Sequence, residues 1–173
     1  MEQHRSYAPD RLGFAALTVS DSRTPADDGS GDIVERLVAE AGHRLVERRI
    51  VRDESEVIRS AVEELMGRAV VDVLVVSGGT GLAPRDVTIE AIEPCLGRPI
   101  PGFGELFRML SWEQVGAAAM LSRAIAGVCG TSVVFVLPGS PRAVELALAA
   151  LILPEAAHLL GQVRRDSGAA VHG

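Results

Sequence analysis

The segment Val71-Asp72-Val73-Leu74-Val75-Val76 runs directly into Ser77-Gly78-Gly79-Thr80-Gly81. Six residues dominated by branched aliphatics favour a strand. The glycines behind them supply backbone conformations closed to other residues, so the chain must turn there. A strand that breaks at once into a glycine-rich turn is the usual exit from a sheet toward a helix in α/β domains.

The rest of the chain repeats this alternation. Residues 14–19 form a second apolar run without polar alternation, as in a strand covered on both faces. Ile33, Val34, Leu37, Val38 and Ala41 recur at helical spacing, with Gly42 placed as a C-cap. Residues 43–51 predict a weaker strand nearer an edge. Val57, Ile58, Ala61, Val62, Leu65 and Met66 mark an amphipathic helix ended by Gly67.

Further helices are predicted over residues 87–93, stopped by Pro94, over 104–114 and over 142–153. Strands are predicted over 122–128 and 132–137, joined as a hairpin by Cys129-Gly130-Thr131. The helix over 142–153 is apolar on nearly all sides, which places it in the core or against another subunit. Alternating strands and helices predict an α/β fold, a three-layer α/β/α sandwich with a mainly parallel sheet. One domain is expected over residues 12–162, with residues 1–11 and 163–173 as flexible tails. The length of 173 residues suits a single domain.

With 47% hydrophobic residues, such a chain builds a core without disulfide or metal staples. Only 3% of residues are aromatic, so aliphatic side chains must fill it. The net charge of −6 and the scattered arginines argue against a nucleic-acid partner. Cys95 and Cys129 form no CxxC pair, and the histidines are dispersed, so reduced thiols and no zinc site are expected. The first dozen residues hold no apolar leader segment, and the apolar stretch 143–153 is interrupted by Glu145 and followed by Pro154. A cytoplasmic protein without a membrane partner is expected.

Three polar or glycine-rich loops fall at predicted strand ends, where open α/β sheets bind ligands. They are Ser20-Asp21-Ser22-Arg23, Ser77-Gly78-Gly79-Thr80-Gly81, and Pro138-Gly139-Ser140-Pro141. Consecutive amides in the central loop make either an anion-binding nest or a ligand-free turn. No Gly-Lys-Ser/Thr follows, and Pro84 stands where a dinucleotide fingerprint has its third glycine. Arg85 and Asp86 come next. Asp86 is read either as a cap for the following helix or as a ligand for Mg²⁺. Asp53 with Glu56 three residues later resembles a capping box. Asp27 and Asp28, beside Gly29-Ser30-Gly31, read either as a solvated loop or as a mobile cover. Ser140-Pro141 suits a helix start, and such a start also offers amides to a phosphate. Phe103, Phe107 and Trp112 are assigned to core or subunit packing; Glu105 and Arg108 stand three apart, a spacing that allows a surface pair worth only a few tenths of a kcal/mol.

Taken together, Ser77-Gly78-Gly79-Thr80-Gly81, Arg85-Asp86-Val87-Thr88, Pro101-Gly102-Phe103-Gly104-Glu105, Ser122-Arg123 and Pro138-Gly139-Ser140-Pro141 resemble, in order, the motifs of the MoaB/Mog family of molybdenum cofactor biosynthesis proteins. The Ser20-Asp21 loop with Asp28, Ser30 and Gly31 resembles the family's first motif. The segment from Gly104 to Ser111 is closer to the MoaB branch. The resemblance covers residues 12–160.

It implies an α/β/α domain that assembles as trimers or hexamers, and an enzyme that adenylylates molybdopterin. In that reaction AMP passes from Mg-ATP to the pterin phosphate and pyrophosphate leaves. The acidic residues of active members match Asp53 and Asp86, which would be catalytic and hold the Mg²⁺. Ser77, Gly78, Gly79, Thr80, Gly81 and Arg85 would hold nucleotide phosphates. Ser20, Asp21, Ser30, Gly31, Pro138, Gly139, Ser140 and Pro141 would form the pterin side. Other enzymes of the same pathway are further expected partners. The alternatives are a non-catalytic pterin carrier and, ranked lower, another phosphate ligand as in the related domain of competence-damage-inducible proteins.

Overall fold

A computed structural model describes residues 11–165. The elements run β1 (Gly13–Val19), α1 (Gly29–Glu40), β2 (Arg44–Val51), α2 (Ser55–Met66), β3 (Val73–Ser77), α3 (Thr88–Ile92), β4 (Arg98–Pro99), α4 (Pro101–Val115), β5 (Ile125–Cys129), β6 (Ser132–Leu137), α5 (Pro141–Ala147) and α6 (Leu153–Arg164). The sheet order is β2-β1-β3-β6-β5-β4. The four strands β2, β1, β3 and β6 are parallel, and β5 and β4 close the far edge antiparallel. This is the three-layer α/β sandwich read from the sequence, with β2 at one edge.

Alternate residues of each central strand serve opposite layers. Phe14, Ala16, Val73, Val75, Val133 and Phe135 face α1, α4, α5 and α6. Ala15, Leu17, Leu74, Val76, Val134 and Val136 face α2 and α3. All seven residues of β1 and all five of β3 are buried, as the absence of polar alternation required. The parallel strands β1, β3 and β6 therefore end at one rim of the sheet.

Some boundaries move. The helix expected over 104–114 begins at Pro101, which occupies its first turn, where its missing amide is no loss. The strand expected over 122–128 starts only at Ile125. A two-residue strand, β4, was not foreseen. The largest change is at the C-terminal end. Helices α5 and α6 join through a π turn, Leu148–Ile152, into one helical run of 24 residues, Pro141–Arg164, which by length and composition is enough to cross a membrane. Pro154 does not stop it, because the wider π turn displaces the carbonyl that the ring would crowd. Val144, Ala147, Leu148, Ile152, Ala156 and Leu160 put its inner face into the core.

The tail expected from residue 163 accordingly begins too early. Val163 packs on the core, and Arg164 donates to Asp72 at 2.6 Å and to the Thr131 carbonyl at 3.0 Å. Arg11 and Arg165 lie exposed, and residues 1–10 and 166–173 of the expected tails lie outside the described residues. Both cysteines are free, and burial pushes each thiol above its ordinary range.

Candidate functional site

The loops after β1, β3 and β6 meet at the sheet rim around an open cleft of about 580 Å³. Its walls include Ser20, Ser77, Gly78, Gly79, Thr80, Gly81, Asp86, Pro138, Gly139, Ser140 and Pro141. These loops pack through glycine. Gly78 has φ +100°, and a Cβ there would sit 2.3 Å from the Val19 carbonyl. A Cβ on Gly139 would meet the Gly78 Cα at 3.0 Å. No larger residue fits either place without moving a main chain.

The central turn is built from peptide planes whose carbonyls are taken. The Thr88 amide donates to the Gly79 carbonyl at 3.0 Å. Arg123 donates to the Thr80 carbonyl at 3.0 Å and to the Gly81 carbonyl at 2.7 Å. In a trans peptide the following N–H points opposite to the carbonyl. The Thr80, Gly81 and Leu82 amides are thereby turned to the other side, and none finds an acceptor among the described residues. The Gly78 amide, by contrast, is spent on the Leu137 carbonyl at 3.1 Å. Gly78 thus contributes its positive φ, and the free donors lie later in the turn.

Two carboxylates flank this turn. Asp53 approaches Gly79: a Cβ there would lie 2.9 Å from its Oδ1 and 2.2 Å from the Thr88 Oγ1. Asp86 approaches Gly81, whose Cβ would lie 2.5 Å from its Oδ2. Asp53 Oδ1 and Thr88 Oγ1 are buried without hydrogen-bond partners. Burial pushes the Asp53 carboxyl above its ordinary value; the Val87 amide opposes this, and the Asp86 and Asp21 charges add to it. Neither aspartate caps a helix. The cap of α2 is Glu54, without a side-chain bond, and that of α3 is Val87. Asp86 instead accepts from the Ala83 amide at 3.2 Å.

Asp21 ties the first loop to both acidic segments. Its Oδ1 accepts from the Asp53 amide at 3.0 Å, and its Oδ2 pairs with Arg85. Asp21 and Arg85 do not line the main cleft. Asp21 lines a second depression of about 500 Å³ with Ser20, Arg23, Arg48 and Arg52.

Ser30 and Gly31 are buried and also leave the cleft walls. Ser30 donates to the Gly139 carbonyl at 2.8 Å, and the Gly31 amide donates to Asp28 at 3.1 Å. Asp28 is fully buried, caps α1, and accepts from Thr18 and Arg48 at 3.0 and 3.1 Å. It is an anchor rather than part of a mobile cover. Ser140 caps α5 through the Ala143 amide at 3.2 Å. Since Ala143 and Val144 also donate to the Ser140 carbonyl, that helix start offers fewer free amides than its sequence suggests.

Ala118 and Leu121 line the site and were not selected from the sequence, while Arg23, Thr88 and Arg123 stood within the quoted motifs without an assigned role. Ser122-Arg123 was visible as a motif, but nothing local tells that its arginine reaches 42 residues back to Gly81.

A family model described as a probable molybdopterin binding domain matches residues 15–158. The chain belongs to this molybdenum cofactor biosynthesis family. The molybdenum cofactor biosynthesis protein B of Bacillus cereus is 46% identical over 165 residues, covering 95% of this chain and 98% of that one. A crystal structure of a molybdenum cofactor biosynthesis protein B superposes with a TM-score of 0.89 at 47% identity, covering 91% and 99%. The tungsten cofactor synthesizing protein MoaB from Pyrococcus furiosus superposes with a TM-score of 0.82 at 37% identity, covering 91% and 99%. The MoaB/Mog resemblance read from the motifs is thus borne out, and with it a place in molybdenum cofactor biosynthesis.

Among the described residues, no three His, Cys, Asp or Glu side chains form a metal cage. The donors present fit Mg²⁺, which is typically held by one or two carboxylates together with substrate phosphates.

Proposed function

We propose that this family member adenylylates molybdopterin with Mg-ATP. The observation that carries the reading is the pair Asp53 and Asp86 on either side of a turn whose free amides suit a phosphate chain. The Thr80, Gly81 and Leu82 amides hold the nucleotide phosphates. Ser20, Arg23 and the loop from Pro138 to Pro141 border the pterin. The terminal phosphate oxygen of the pterin attacks the α-phosphorus of ATP, the bond to the β-phosphate oxygen breaks, and pyrophosphate leaves. The protein contributes positioning and charge stabilisation rather than a covalent nucleophile.

Asp86, with Asp53 and the unpartnered Thr88 hydroxyl, would hold Mg²⁺, which neutralises charge on the phosphates. Arg85, held by Asp21 at the rim, meets the phosphates on entry.

Purified protein mixed with molybdopterin and Mg-ATP should yield adenylyl-molybdopterin and pyrophosphate, followed by mass spectrometry. No product above a protein-free control removes the enzymatic claim. A second reading, a pterin carrier, is favoured by one observation: Asp53 lies behind Gly79 and not on the cleft wall. Calorimetry separates the two, because a carrier binds pterin and no Mg-ATP.

Self-association belongs to the same proposal. Leu106, Met109, Trp112, Val115, Met120 and Leu121 expose large apolar surfaces along α4 and the 3₁₀ turn Gly116–Leu121. Leu121 continues this face to the cleft. A second copy would cover it in a trimer or hexamer.

A further inference from the structure

We infer that Arg123 is a positioning residue for the phosphate-binding turn, acting through the main chain and not through the ligand. The inference rests on the nucleotide reading above.

Arg123 stands just ahead of β5 and reaches across to α3 and the turn. Its Nε donates to the Thr80 carbonyl at 3.0 Å. Its Nη2 donates to the Gly81 carbonyl at 2.7 Å and to the Asp86 carbonyl at 3.1 Å. Its Nη1 pairs with Glu90, whose carboxyl Arg123 holds below its usual range. One planar group thus gathers three carbonyls spanning residues 80–86 and is itself oriented by a carboxylate.

This matters because a glycine-rich turn has little to fix its peptide planes. Gly79 and Gly81 have no side chains to restrict rotation. A flipped plane would present a carbonyl oxygen, not an N–H, to a phosphate. Arg123 removes that alternative for the planes that carry the Gly81 and Leu82 amides. By holding the Asp86 carbonyl it also sets where the Asp86 side chain starts. Arginine suits the task because its rigid fork presents five donors, whereas lysine presents a point charge on a flexible stem. With Glu90 engaged, the guanidinium has no need of the ligand's charge.

The test compares Arg123→Ala, Arg123→Lys and Glu90→Gln with the wild-type protein. Binding of Mg-ATP, pyrophosphate and molybdopterin is measured by calorimetry, and amide exchange over residues 78–86 by mass spectrometry. Arg123→Ala should weaken both phosphate probes by about tenfold or more, equivalent to ~1.4 kcal/mol, with pterin affinity held within about twofold, which is under 0.5 kcal/mol. Exchange over 79–86 should rise, and millimolar guanidinium should restore part of the lost affinity. Arg123→Lys should recover thermal stability without recovering affinity. Glu90→Gln, on an exposed side chain, should fold normally and lose affinity to an intermediate degree.

Phosphate affinity unchanged in all three variants overturns the inference and leaves the nucleotide reading standing. A wild-type protein that binds neither Mg-ATP nor pyrophosphate overturns both.

Discussion

Replacing Asp53 by asparagine should make the ligand-free protein more stable while removing its response to magnesium. Asp53 Oδ1 is buried with no hydrogen-bond partner, beside a Thr88 hydroxyl in the same condition. A buried polar atom left without a partner costs ~1–3 kcal/mol. Burial, with Asp86 and Asp21 nearby, also holds the Asp53 carboxyl above its ordinary value. The sign follows from the proton balance. The folded state binds this proton more tightly than the unfolded chain does, so stability is greatest with the carboxyl protonated and falls as pH rises through the raised folded value. Asparagine carries no charge to strand, and its amide can donate to the Thr88 oxygen. A net gain of ~1 kcal/mol is expected, worth about 2–4 °C in Tm for a domain of this length. The assay is thermal unfolding across pH 4 to 8, on the order of the carboxylate range and above, without ligand and with Mg-ATP. Wild-type stability should slope downward with pH and recover with Mg-ATP. The variant should show a flatter slope and no Mg-ATP shift. A variant that melts lower than wild type, with the pH slope intact, would refute the reasoning.

Four other outcomes are expected. Gly79→Ala combines φ +63° with a Cβ 2.2 Å from the buried Thr88 hydroxyl; left-handed strain alone is ~1–2 kcal/mol, so urea unfolding should register at least that, with Mg-ATP binding lost by calorimetry. Arg48→Ala leaves the fully buried Asp28 without its cation, and chemical denaturation should show a loss of ~3 kcal/mol. Ser140→Ala removes the α5 cap, costing ~1 kcal/mol in the same measurement. Trp112→Glu places charge on the exposed apolar face, and light scattering should report a smaller particle with the fold retained by circular dichroism.

The central sheet was legible because residues 14–19 and 132–137 lack polar alternation, which only doubly covered strands tolerate. The hairpin at Gly130 was legible because its turn residues are local. The run past Pro154 was not, since a proline reads as a stop unless the widened turn before it is known. At the site, the three loops were identifiable from position and composition alone, and they do converge. What could not be read was the function of individual residues within them. Ser30 and Gly31 carry motif identity yet serve the fold: Ser30 fastens α1 to the Gly139 carbonyl, and the Gly31 amide binds the Asp28 cap. Asp53 and Glu56 imitate a capping box that does not form. Arg123 acts on a segment some forty residues earlier in the chain. Each of these depends on tertiary neighbours that sequence spacing does not encode.

The approach of Gly139 to Gly78 bears on how two substrates would share this rim. Between these turns there is no rotamer that can swing aside and absorb a shift, only backbone against backbone. Displacing one turn must therefore push the other, and through Ser30 the first turn of α1 as well. A molecule settling on one loop would stiffen the seat offered to a second, so each should tighten the other's binding by the same factor, whichever arrives first.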